Sequence, residues 1–328
     1  MVISKTPLRM SFFGGGTDFK DYYENSKFGY GATISTAVNM YLYITVNKRM
    51  DKKIRLVYQS GELVDNVDEI KHNIIRNALK IVGIENGIEI IYTADLPIAG
   101  VGIGMASSSA MSVGLLNALH AFKGEYASPE QLAKEACKLE IEMMQQPIGI
   151  QDQYAVAYGG FNRYKFERDG NVVVEPVICD INVLKNLKSN LMLFFTGITR
   201  DSGTILGEQK KNINDKTNQL DKLVLAVDEA YQALQNKDID RWGCMLDETW
   251  KTKKQLASKI ANPIIDKMYN DAISAGALGG KVLGAGGGGF LLLYVPKCAK
   301  DDVRKALKNY DEIKFDFSSY GSQIIFKN

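Results

Sequence analysis

The chain has 328 residues, 45% hydrophobic and 24% charged, enough for two medium lobes with a buried core. Its 40 Lys and Arg against 38 Asp and Glu leave a net charge of +2, which gives no general drive toward nucleic acid or an anionic membrane and allows only local basic pockets for an anion. Two histidines (His72, His120) and four scattered cysteines (Cys137, Cys179, Cys244, Cys298) without a CxxC pair argue against a His-based triad, a His-rich metal site or a redox pair. Chemistry falls to carboxylates, hydroxyls, backbone amides, Lys and Arg.

The N-terminus shows no apolar leader, and the longest apolar run, 290–295, is too short to cross a bilayer, so the chain reads as a cytoplasmic protein. Alternating patterns predict strands over 41–47, 54–58 and 88–93. Ile70, Ile74, Ile75, Leu79 and Val82 share one face of a helix spanning 68–82. Two more helices follow over 107–122 and 129–144, the second capped by Ser128 with Pro129 in its first turn. A hairpin over 161–166 and 172–177 turns at Asp169-Gly170. The texture changes near 185: a strand over 191–196, helices over 217–235, 238–258 and 264–275, a glycine-rich strand pair over 279–295, a helix over 298–309, and strands over 313–317 and 321–327. No Pro/Gly/Ser linker marks the change, so units 1–185 and 186–328 are expected to share an interface and a cleft.

Three glycine-rich segments carry the chemistry. The first, Pro7 to Asp18, ends a strand in Gly14, Gly15 and Gly16, then presents Thr17 and Asp18. Asp18 suits vicinal hydroxyls of a polyol or caps the next helix; Arg9 is a permanent cation or a surface strand residue. The second segment carries Gly100, Gly102, Gly104 and Ala106 and opens a helix with Ser107, Ser108 and Ser109. Glycines let backbone N–H groups surround a phosphate, and the helix start adds unpaired donors. A dinucleotide fingerprint fails here, since Glu125 lies in a turn between helices, and there is no GxxxxGK[ST] loop. The third runs from Lys281 to Tyr294; five glycines among residues 284–289, Gly287 included, exceed what a turn needs and imply a close backbone approach. Between the second and third lie Glu140, Glu142 and Asp152, of which one carboxylate could bind Mg2+ and another face a hydroxyl.

In order and spacing, these segments resemble motifs one, two and three of the GHMP kinases, across nearly the whole chain from Pro7 to about Val295. The resemblance implies an α/β (α+β) two-lobe fold, with a ribosomal-S5-like N-terminal lobe and a ferredoxin-like C-terminal lobe. ATP would lie between them, with its phosphates on residues 100–109. It also implies Asp152 as the catalytic aspartate, Arg9 beside it holding it ionised, and Asp18 with Gly15, Gly16, Thr17 and Gly287 around a sugar. Mg2+ would fall to Glu140, seven residues before Pro147, and to Ser108. Residues 11–18, 151–162, 196–200 and 281–294 are similar to bacterial kinases of heptose 7-phosphate, which act on the C1 hydroxyl; Arg200 is then the candidate for the 7-phosphate. A fucose- or galactose-type kinase, or a non-catalytic sugar- and ATP-binding regulator, is the alternative. The implied partner is a small sugar or sugar phosphate, and a homodimer is compatible with the family. One departure matters: Ala106 stands where motif two usually has glycine. If that position needs positive φ, alanine costs about 1 kcal/mol.

Overall fold

The computed structural model describes residues 1–58, 60–96, 104–199 and 202–328. Its frame is a pair of long strands, β1 (Val2–Phe13) and β2 (Tyr30–Lys48), joined through one helical turn, α1 (Lys20–Tyr23). They pair antiparallel from Val2–Val46 to Phe13–Ile34, and β-branched and aromatic residues crowd β2 as a packed pleated surface requires. The register shifts between Pro7 and Leu8 and again between Ser11 and Phe13. A bulge is where a sheet admits proline, and bulges re-aim the strand that carries them.

The chain continues through β3 (Ile54–Val57), β4 (Glu62–Val64), α2 (Asn73–Val82) and β5 (Ile88–Ala94). Helices α3 (Ser107–Lys123), α4 (Pro129–Cys137) and α5 (Gln151–Tyr158) precede the hairpin β6 (Phe161–Glu167) and β7 (Val172–Pro176). Then come α6 (Ile181–Asn190), β8 (Leu191–Phe195), α7 (Ser202–Lys211), α8 (Thr217–Gln235), α9 (Ile239–Lys253) and α10 (Pro263–Ser274). The chain closes with β9 (Gly279–Val282), β10 (Phe290–Tyr294), α11 (Lys300–Ala306) and β11 (Gln323–Lys327).

The large sheet has the order β11-β1-β2-β5-β3-β4, with β6 and β7 continuing from β2. The second half of β2 pairs with β5 and its first half with β6. Helix α3 packs on β1 and β2, and its residues from Ser109 to Ala121 are buried. The small sheet is β8-β10-β9. Its ferredoxin-like layout is completed by an isolated bridge from Phe194 to Glu312 rather than by a fourth strand.

Two expectations change. The helix expected over 68–82 is a 3₁₀ turn, Val67–Glu69, followed by α2. The Glu62 carboxylate accepts from the backbone N–H groups of Lys71 and His72, which breaks the helix between them. Residues 313–317 form no strand: the preceding Glu312 makes an isolated bridge to Phe194 and Phe317 makes one to Val38, so neither sheet gains a ladder. Helices α6 and α7 and the first half of β2 escaped the periodicity reading. The last strand, β11, crosses the boundary expected near 185 and pairs antiparallel with β1.

The lobes meet over aromatic and polar contacts. Trp242 on α9 is fully buried, with its ring centroid 4.9 Å from those of both Phe12 and Phe13 in edge-on geometry. Tyr22 donates to Asp221 at 2.7 Å, and Arg163 donates to Asp228 at 2.8 Å. Among the described residues, no helix is long and apolar enough to cross a membrane. Trp242→Ala should lower the unfolding free energy by about 3–5 kcal/mol, because a buried indole leaves a cavity between the lobes. Urea titration followed by circular dichroism measures this.

Candidate active site

The end of β1 supplies the first elements of the site. Arg9 is 3% exposed, and its backbone N–H donates to the carbonyl of Met105, which ties β1 to the start of α3. Its guanidinium grips Asp152 with two bonds, Nε to Oδ1 at 2.8 Å and Nη2 to Oδ2 at 2.7 Å. Nη1 donates to the carbonyl of Gly104 at 2.9 Å. Such a fork fixes both position and plane of the carboxylate. Asp152 lies in the first turn of α5, and its side chain keeps 27% of its exposure, so it faces the cleft.

Asp18 is buried beside this pair. Its Oδ1 accepts from the Gly16 N–H at 2.9 Å and from Gln151 Nε2 at 2.8 Å, and its Oδ2 accepts from the Gln151 N–H at 3.2 Å. Burial, and secondarily the charge of Asp152, push its carboxyl above the ordinary value despite those donors. Gly149 leaves the necessary room: a Cβ there would stand 2.0 Å from Asp18 Oδ2. The backbone of Gly15 and Gly16 lines the same cleft with Ser11, Gln209, Lys253, Lys281, Gly284 and Ala285.

Glu140 occupies a π-helical turn, Lys138–Met143, that continues α4. Such turns widen the helix and redirect side chains. Glu140 is 1% exposed, whereas Glu142 is exposed. The Glu140 carboxylate accepts from Ser108 Oγ at 2.7 Å, Ser109 Oγ at 2.8 Å and Gln153 Nε2 at 2.6 Å. Burial raises its affinity for a proton, and these three donors oppose the shift. Among the described residues, the buried Oε1 of Gln153 has no hydrogen-bond partner. Carboxylate, hydroxyl and amide oxygens form a hard donor set, and an orphaned oxygen beside them fits a magnesium ion that takes its remaining ligands from phosphates and water. Among the described residues, no group of three His, Cys, Asp or Glu side chains forms a cation cage.

Ala106 has φ 61° and ψ 33°, the left-handed conformation that the motif-two glycine would accept without strain. It precedes α3, whose start has no side-chain cap. Next to it, Gly104 and Gly284 touch: a Cβ on Gly104 would lie 2.4 Å from the Leu283 carbonyl, and one on Gly284 would lie 2.6 Å from Gly104 Cα.

Arg9, Gly15, Gly16, Asp18 and Asp152 therefore share one cleft, and Gly104, Ala106, Ser107, Ser108, Ser109 and Glu140 stand at or near the opening of α3 beside it. Two expected residues are turned elsewhere. Thr17 is fully buried, and its hydroxyl donates to the carbonyls of Gly14 and Ala32, so it holds the turn and does not face a ligand. The N–H of Gly287 donates to the Ile260 carbonyl and its own carbonyl accepts from Asn262; Gly284 and Ala285 form the cleft wall instead. Gly100, Gly102 and Arg200 lie outside the described residues. Sequence reasoning missed Gln151, Lys253 and Lys281 as site residues. Lys281 carried a signal, a lysine inside a strand otherwise lacking polar side chains. Lys253 carried none, because it sits in a lysine-rich stretch that reads as a solvated helix face.

Glycine-rich backbone, the Arg9–Asp152 pair and the start of α3 thus meet in one cleft between two lobes. The sequence matches the family models for the GHMP kinase N-terminal domain over residues 70–160 and the GHMP kinase C-terminal domain over residues 230–312. The chain belongs to the GHMP kinases, whose members are ATP-dependent. It is 29% identical to the D-glycero-alpha-D-manno-heptose 7-phosphate kinase of Campylobacter jejuni, covering 96% of this chain and 95% of that one. With the galactokinase of Pyrococcus furiosus it shares 26% identity over the same proportions, 96% and 95%. Its fold superposes on a D-glycero-D-manno-heptose 1-phosphate kinase of Bacteroides thetaiotaomicron with a TM-score of 0.81 at 23% identity, over 100% of both chains.

Ala106→Gly should raise stability by about 1 kcal/mol, since an L-residue in the left-handed region is strained; differential scanning calorimetry reads it as a higher midpoint. Asp18 has a folded-state pKa raised above 3.8, so the folded chain holds that proton more tightly than the unfolded one. Its contribution favours folding at low pH and is lost as pH rises through the raised value. Asp18→Asn, which cannot ionise, should flatten this fall when urea unfolding free energies are compared across acidic pH.

Proposed function

We propose that the chain transfers the γ-phosphoryl group of ATP to a hydroxyl of a sugar, and that the sugar is D-glycero-D-manno-heptose 7-phosphate, phosphorylated at C1 to give the 1,7-bisphosphate used in nucleotide-heptose synthesis. The observation that carries the phosphotransfer reading is the Arg9–Asp152 fork, aimed into a cleft beside the uncapped start of α3. The heptose reading is supported by the full-length similarity to the Campylobacter jejuni enzyme.

In this reading, Asp152 accepts a hydrogen bond from the acceptor hydroxyl and takes its proton as the new O–P bond forms and ADP departs. Arg9 holds both carboxylate oxygens, which fixes the direction of that bond, and lends positive charge to the transferring group. Asp18 accepts from neighbouring sugar hydroxyls; its orientation is set by Gly16 and Gln151 before any ligand arrives. The backbone N–H groups at the start of α3 receive phosphate oxygens. Glu140, Ser108 and Gln153 are the residues that would hold a magnesium ion, which when bound neutralises charge on the phosphates. The other reading, a sugar- and ATP-binding regulator, is disfavoured by the intact Arg9–Asp152 pair.

The test is ADP release from Mg-ATP with heptose 7-phosphate, unphosphorylated heptose, galactose, fucose and mevalonate. Turnover is expected with heptose 7-phosphate above the rest, and Asp152→Asn should lower kcat by about 10² or more. Turnover only with another acceptor moves the substrate assignment. ATP binding without turnover on any acceptor favours the regulator, and near-normal turnover of the Asn variant removes Asp152 from the proton-accepting role.

A further inference from the structure

Helix α7 brings the C-terminal lobe against the Asp18 side of the cleft. Leu206 and Gln209, three residues apart and so on one face of the helix, line the cleft with Gly16, Asp18 and Phe19. The helix is tied to both lobes. Glu208 accepts from the Ser258 N–H at 2.8 Å and from its hydroxyl at 2.9 Å, and Lys210 lies 3.7 Å from Asp21 of α1. A Cβ on Gly207 would stand 3.8 Å from Pro147 Cγ, so α7 packs on the segment that leads to Gly149, Gln151 and Asp152. Gln209 is 3% exposed, and among the described residues its carboxamide has no hydrogen-bond partner. Gln151 and Gln153, by contrast, spend their amides on Asp18 and Glu140. The Gln209 carboxamide lies over Gly16, where a Cβ would stand 2.3 Å from its Nε2, and Gly16 gives its own N–H to Asp18. An unspent amide is thus held beside the Gly16–Asp18 turn. A buried amide is costly until a ligand or water completes its hydrogen bonds.

We infer that Gln209 is the acceptor-binding residue of the C-terminal lobe, its carboxamide taking hydroxyls of a polyol whose neighbouring hydroxyls are held by Asp18. A carboxamide carries an acceptor oxygen and two N–H donors, and each hydroxyl both donates and accepts, so one glutamine can bridge adjacent hydroxyls of a sugar. Leu206 and Phe19 line the same part of the cleft and offer apolar surface to the C–H groups that a sugar also presents. The acceptor is then gripped from both lobes, by Asp18 on one side and by α7 on the other. The inference rests on the kinase reading and not on the choice of sugar.

Gln209→Met in the full chain tests it, because methionine keeps the length of the side chain and loses both polar atoms. The thermal midpoint should stay or rise, since an unpartnered amide is removed. A glutamine that only braced α7 would lower the midpoint and leave acceptor binding intact. The KM for the acceptor that the wild type turns over should rise by about tenfold or more, while the KM for Mg-ATP stays. Deoxy analogues of that acceptor, each missing one hydroxyl, give the readout that a structural role does not move. At least one should bind the wild type about tenfold more weakly than its parent does, and bind Gln209→Met as well as its parent does. If no acceptor is turned over, the kinase reading fails, and calorimetric titration of the same sugars and analogues still reports on Gln209. Unchanged acceptor affinity in the variant, the same ranking of analogues in both proteins, or no binding of any sugar to the wild type overturns the inference.

Discussion

The contact between Gly104 and Gly284 is the constraint on which the rest of the site depends. Backbone from the N-terminal lobe and backbone from the C-terminal lobe approach so closely that neither position has space for a Cβ. That approach sets the Gly104 carbonyl where Arg9 Nη1 reaches it and the Gly284 carbonyl where Lys253 reaches it. Arg9 then has one direction left for its remaining donors, and Asp152 on α5 receives them. A side chain at either glycine would separate the lobes by the thickness of a methyl group, and three charged side chains would lose their common geometry.

Around this contact the protein buries more charge than a core of this size needs. Arg9, Asp18, Glu140, Lys253 and Lys281 are each at most 5% exposed. Fixed donors and acceptors hold them in orientations set before a ligand binds, which lowers the reorganisation required during phosphoryl transfer. The cost appears in the proton affinities, where burial shifts Asp18 and Glu140 toward neutrality and Lys281 likewise. Hydrophobic burial elsewhere offsets it. Trp242 packs against Phe12 and Phe13 at the end of the same strand that carries Arg9, so the apolar joint between the lobes also positions Arg9.

Ala106 shows strain kept at such a site. Its left-handed conformation is required because the loop must turn sharply between Gly104 and the first residue of α3. The flanking contacts, Arg9 N–H to Met105 and Ala110 N–H to the Ala106 carbonyl, fix the backbone on both sides. Local propensity yields to those contacts.

Much was legible in the sequence because it depends on neighbours along the chain. The first and third glycine clusters, the serines opening α3, the hairpin at Asp169-Gly170, the C-terminal helices and the strand core of β5 are local patterns of backbone freedom and apolar spacing, and they appear where those patterns put them. The family resemblance, not the residues alone, implied Glu140 rather than Glu142; the π-helical turn carries Glu140 inward and leaves Glu142 exposed. Contacts across the chain decided the rest. The helix expected over 68–82 broke because Glu62 captured two of its N–H groups, Thr17 and Gly287 spent their polar groups inside the fold, and β11 returned to the edge of β1. Lys253 and Lys281 became part of the cleft only once α9 and β9 were docked against the end of β1. The sequence by itself determined the elements and their chemistry, since periodicity and backbone freedom are local. Tertiary structure alone decided which polar groups were left to meet a ligand, because a donor or acceptor stays available only if no distant residue has taken it.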